Sequence, residues 1–165
     1  MEMVKVFLKE LDQEAHTTRK FLALVHDDKF EWRPHAKSMN MIGLATHIAE
    51  MHSFITLALT TEGIDFAARP YEPHPIKNNA ELMQYFETTL ADARSHLEQA
   101  TEDDLLPDWT MRGGDVIYST TSKAEVIRMA LSQVIHHRAQ LGVYLRLLDI
   151  PIPGSYGPSA DEMTA

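Results

Sequence analysis

The stretch that most limits what this chain can fold into runs from Ser122 to Pro151. Ser122-Lys123-Ala124-Glu125 has the spacing of a capping box and Pro151 ends any helix, so the interval reads as one helix to about Asp149. Its inward stripe is Ala130, Val134, His137, Leu141, Tyr144 and Leu148, apolar except for an imidazole at its centre. A histidine inside an apolar seam must satisfy both ring nitrogens, either by hydrogen bonds or by a metal on one and an acceptor on the other. Gln133 lies one turn upstream on the same face, so positions 133 and 137 can aim at one point. A second stretch, Leu44-Ala45-Thr46-His47-Ile48-Ala49-Glu50-Met51, repeats the arrangement, with His47 on the stripe Leu44, Ile48, Met51 and Ile55. Two helices therefore each carry one inward histidine.

The remaining periodicity is also helical. Val4, Phe7, Leu8, Leu11, Ala15, Phe21, Leu22 and Val25 predict a first helix over about 2–26, and Ser38 or Asn40 caps a second over about 40–61, which stops near Gly63. Asn78-Asn79-Ala80-Glu81 opens a third, with the stripe Leu82, Tyr85, Phe86, Leu90, Ala93 and Leu97. Pro34 marks a loop after the first helix, and Pro70, Pro73 and Pro75 exclude regular structure between the second and third. Short alternating runs around Trp109 and Gly113-Gly114 allow a small hairpin between 101 and 121. The expected fold is all-α, a four-helix bundle in a single domain over 1–165. Connections of about 15 to 20 residues are longer than antiparallel neighbours need, so consecutive helices need not be adjacent, and such loops can roof one end of the bundle.

Composition narrows the chemistry. A formal net charge of -9 and no cluster of Lys and Arg argue against a nucleic-acid partner. There is no cysteine, so a metal must be held by nitrogen and oxygen, and any thiol chemistry needs an external thiol. The first residues lack the apolar core of a signal peptide and no fully apolar run approaches about 20 residues, which predicts a cytoplasmic protein with no membrane partner. Gly113-Gly114 lacks the ending of a phosphate loop. His136 is turned about 100° from His137 and is expected to face away. His16 and His26 read as surface, Met51 as core, and Arg138 and Gln140 as structural hydrogen-bonding groups. Glu50 reads as a residue of the solvated face that could still reach a metal or a bound water. Trp32, Pro34 and Trp109 read as loop anchors.

Trp32-Arg33-Pro34-His35-Ala36-Lys37-Ser38, Gly43-Leu44-Ala45-Thr46-His47-Ile48-Ala49-Glu50, Ile135 to Leu148 and Pro151 to Asp161 together resemble the DinB family, which includes YfiT-like proteins. The resemblance covers nearly the whole chain. It implies a bundle with one divalent metal, zinc or nickel, held by a histidine of the second helix and two, four residues apart, of the fourth. His47 matches the first ligand and His137 the last. The middle position is Gln133, whose neutral carbonyl oxygen is a weaker donor toward zinc or nickel than imidazole. Alternatively, Gln133 holds His137 or a water instead of the metal. The activity implied is a metal-dependent S-transferase joining a low-molecular-weight thiol to a small molecule, or a related hydrolase. The alternative is a non-catalytic, stress-related homodimeric bundle with a degenerate metal site, and a homodimer is expected in either case.

Overall fold

A computed structural model describes residues 2–163. Among these residues five α-helices and three strands follow in order: α1 (Met3–Leu22), α2 (Met41–Glu50), α3 (Ser53–Thr60), β1 (Gly63–Asp65), α4 (Asn79–Gln99), β2 (Asp108–Gly113), β3 (Val116–Ser122) and α5 (Lys123–Leu147). The predicted second helix is thus two helices in line. Met51 and His52 keep right-handed helical dihedrals between them, and the hydrogen bonds tighten to i→i+3, Phe54 N–H donating to the Met51 carbonyl and Ile55 N–H to that of His52. The Thr89 hydroxyl enters this break and donates to the Ala49 carbonyl at 2.6 Å, the acceptor that serves residue 53 in an uninterrupted helix.

Helix α1 packs on α4 and α5, and α2 and α3 pack on the same two partners. Two of the long connections therefore separate consecutive helices, α1 from α2 and α4 from α5, whereas the one from α3 to α4 joins packed neighbours; α1 lies diagonally across from α2–α3. Leu11, Leu22, Ile48, Ile55, Phe86 and Leu97 meet in the core with essentially no exposure. By length and composition Met41–Thr60 is apolar enough to cross a membrane, which the count of uninterrupted apolar residues missed; here it lies in the bundle, half buried, against α4 and α5. Ser122 and Glu125 form the predicted capping box at the start of α5. At α4 only half of that motif is present: Asn78 accepts from Glu81 N–H, whereas Glu81 turns to Lys77 N–H.

The all-α expectation is corrected by a three-stranded mixed sheet in the order β1-β2-β3. The β2–β3 hairpin falls where the alternating runs allow one, turning at Gly114 with φ +61°. What was not anticipated is β1, from the connection after α3, which pairs parallel to β2 through Gly63↔Thr110, Ile64↔Met111 and Asp65↔Arg112. Gly63 makes this approach feasible, because a Cβ there would collide with the Thr110 carbonyl. The Asp65 carboxylate then fastens the end of β1 to the hairpin, accepting from Gly114, Ala67 and Ala68 N–H, and these bonds hold its pKa below the usual carboxylate range. Trp109 on β2 is buried, and its indole N–H donates to the Thr61 hydroxyl at 3.0 Å, docking the sheet on the end of α3.

Arg138 is structural, as expected, and 2 % exposed. Its guanidinium pairs with the Glu14 carboxylate at 2.6 Å and donates to the Thr18 hydroxyl and, from its other nitrogen, to the Tyr156 hydroxyl. Tyr156 in turn donates to Glu14 at 2.9 Å. This network joins α1, α5 and the segment after α5, giving a buried charge the partners that burial demands.

Candidate functional site

His47 and His137 come together. Their ring centroids are 4.7 Å apart at an interplanar angle of 73°. The helices bring them there because the neighbours on each stripe, Leu44 and Ile48 on α2, Val134 and Leu141 on α5, are buried in the shared seam. The rings themselves stand at its edge, half-buried.

Each ring is oriented by a side chain three residues further along its own helix. His47 Nδ1 lies 2.6 Å from a Glu50 carboxylate oxygen, and His137 Nδ1 lies 2.9 Å from the Gln140 amide oxygen. The Gln140 amide nitrogen faces His136 Nε2 at 3.1 Å. With the amide so oriented, Gln140 accepts from His137 and donates to His136, which puts the His137 proton on Nδ1. A carboxylate beside His47 does the same for that ring. Neither Nε2 has a hydrogen-bond partner among the described residues, and Nδ1 engaged by an acceptor with Nε2 free is the arrangement in which metal-binding histidines are usually held. Burial pushes the His137 pKa below its ordinary 6.5, and the neighbouring His47 and His136 push in the same direction against the Gln140 bond, so the ring is neutral at neutral pH.

Glu50 departs from the expected solvated face: its side chain is only 12 % exposed, and it also accepts from the Tyr71 hydroxyl at 2.7 Å. Burial first, then the bond to Glu50, raises the Tyr71 pKa, so the phenol keeps its proton. His136 is exposed, though its ring centroid is 4.9 Å from that of His137. Gln133 is half-buried one turn before His137 and makes no hydrogen bond to either ring. His16 and His26 are exposed and Met51 is buried. Trp32 packs edge-on against Tyr144, with centroids 5.5 Å apart.

Two clefts reach the pair. One, of about 640 Å³, is lined by His47, Glu50, Phe54, Ile64, Tyr71 and Tyr85. The other, of about 400 Å³, is lined by His137, Gln140, Leu44 and Tyr144, and Met39 borders both.

The donor set suits a divalent cation only in a reduced form. Among the described residues no three His, Cys, Asp or Glu side chains are grouped to hold a metal. Two imidazole nitrogens are offered, while Gln133, the third position expected from the sequence, lines neither cleft and makes no hydrogen bond to either ring. Such a set fits a weak site with several open positions.

Comparison with known proteins places the chain: the family model described as DinB family matches residues 1–165. The chain belongs to the DinB family. It is 24 % identical over 160 residues to the uncharacterized protein YrdA of Bacillus subtilis, covering 94 % of this chain and 89 % of YrdA. The crystal structure of the DinB-like protein YjoA of Bacillus subtilis superposes with a TM-score of 0.70 at 19 % identity, over 90 % of this chain and 96 % of YjoA. A DinB-like protein of Bacillus cereus gives a TM-score of 0.72 at 17 % identity, over 91 % and 95 % of the two chains. At these identities the structures establish a shared DinB-like fold.

Proposed function

We propose that this DinB-family chain binds a divalent cation weakly through His47 and His137, with the Gln133 carbonyl as third donor, and uses it on a small, largely apolar molecule in the adjoining cleft. The observation that carries the reading is the pair of rings 4.7 Å apart, each with Nδ1 engaged by an acceptor on its own helix. Glu50 and Gln140 orient the imidazoles, each placing a proton on Nδ1 and turning Nε2 outward. Phe54, Ile64 and Tyr85 supply an apolar wall beside His47. A cation bound there would polarise an incoming group, and with a low-molecular-weight thiol it would favour the thiolate. Transfer of an external thiol to an electrophile is the reaction class we assign, in keeping with a chain that has no cysteine.

Gln133 favours a second reading, in which the cleft binds a small molecule without reaction. Titration of metal-free protein with Zn²⁺ or Ni²⁺ tests the first. One equivalent should bind weakly, His137→Ala should abolish binding, and Gln133→His should tighten it by roughly 10- to 100-fold. If wild type neither binds nor is stabilised by either ion, the metal reading falls. If Gln133→His binds tightly and neither protein turns over thiol and electrophile, the non-catalytic reading stands.

A further inference from the structure

The segment 66–77 leaves β1 and enters α4 along one side of the His47 cleft. Its ends are fixed: Phe66 N–H donates to the Arg112 carbonyl, Arg69 N–H to that of Asp65, and Lys77 N–H to the Glu81 carboxylate. Between them, Pro70, Pro73 and Pro75 remove three backbone donors and stiffen the chain, so this stretch cannot be tied down by a ladder of its own. Among the described residues, the hydrogen bonds and ring contacts that attach 70–75 to the body are two. The Tyr71 hydroxyl donates to Glu50 at 2.7 Å, and the His74 ring stacks on Tyr85 with centroids 4.1 Å apart at 8°. Both landing points, Glu50 and Tyr85, line the cleft.

The Tyr71 bond does more than close a loop. The Glu50 oxygen that receives it is the one that faces His47 Nδ1. One carboxylate oxygen is thus shared between a stiff covering segment and the ring at the floor of the cleft.

We infer that Tyr71 is a positioning residue: it latches the 66–77 segment as a lid over the cleft and, through Glu50, sets the orientation of His47. The inference rests on reading the His47 cleft as the binding site. Ligand entry requires the lid to lift, which breaks the phenol–carboxylate bond and frees Glu50; closure restores both together. Enclosure selects small molecules and dries the cleft around the histidine pair.

Diethyl pyrocarbonate, which acylates the bare nitrogen of a neutral imidazole, tests this without any metal, with each histidine followed by mass spectrometry. Tyr71→Phe removes one hydroxyl and keeps the ring. Losing a hydrogen bond to a charged acceptor should raise the modification rate of His47 roughly three- to tenfold, with exposed His16 unchanged as reference. His74→Ala should act in the same direction and the double variant more strongly. Equal His47 rates in all four proteins overturn the proposal, as does a parallel rise at His16, which would mean general loosening. In a separate arm, Ni²⁺ should dissociate faster from Tyr71→Phe than from wild type. If no protein binds Ni²⁺, the metal reading fails and the acylation rates still decide the lid.

Discussion

His52 has no exposure, and neither ring nitrogen has a hydrogen-bond partner. It lies at the α2–α3 break against the Phe86 ring, centroids 5.3 Å apart, and the Ala49 carbonyl near it is already taken by Thr89 without reaching hydrogen-bond geometry to the imidazole. Burial lowers its pKa from 6.5 to about 4, a push that the Ala49 carbonyl and Glu87 only partly oppose. A buried polar atom left unpaired costs about 1–3 kcal/mol, so His52→Leu should stabilise the protein at pH 7 by an amount of that order, less any misfit in shape. Acid gives a sharper test. Because the folded pKa lies below the unfolded one, the unfolded chain binds the proton more readily, and the histidine's share of stability is full above pH 6.5 and lost as pH falls towards about 4. Between pH 7 and pH 5 this amounts to about 2 kcal/mol, which the leucine protein does not lose. Urea unfolding at the two pH values measures it: the midpoints should move apart by about 1 M more at pH 5 than at pH 7. A gap that does not widen, together with a leucine variant less stable than wild type at pH 7, would refute the reasoning and mean that the ring is satisfied in solution.

Two further substitutions follow from the geometry. Glu50→Ala should weaken Ni²⁺ or Zn²⁺ binding by roughly 10- to 100-fold, because His47 loses the acceptor that holds it, and calorimetric titration would show this. Glu14→Gln keeps the shape of the buried network but leaves the Arg138 charge without its counter-ion, and should cost about 3–5 kcal/mol in thermal or urea unfolding.

The helices were legible because their apolar stripes are long, and for the same reason the meeting of His47 and His137 followed from two stripes facing one seam. The spacing that orients the rings was also present in the sequence: each histidine is followed three residues later by an acceptor, Glu50 or Gln140, on the same helical face. That shared spacing separates Glu50 from an ordinary solvated carboxylate. Strand β1 left no signal, since three residues cannot display a period, and β3 is exposed along most of its length, so it has no buried alternation to read. His52 lies four residues after Ile48 and three before Ile55, one turn from each, so its burial was within reach of the periodicity; the stripe as read left it out because its side chain is polar. Tyr71 lies in a proline-rich connection, where the path of the chain depends on partners distant in sequence.

His137 and Arg138 are consecutive, so α5 presents the imidazole to α2 and the guanidinium to α1 on directions about 100° apart. The ion pair to Glu14 acts as an indexing pin for this helix: α5 cannot roll or slide to suit a guest at one side without shearing a salt link on the other. Alterations at Tyr156, near the end of the chain, should therefore be felt as slack between two rings they never touch.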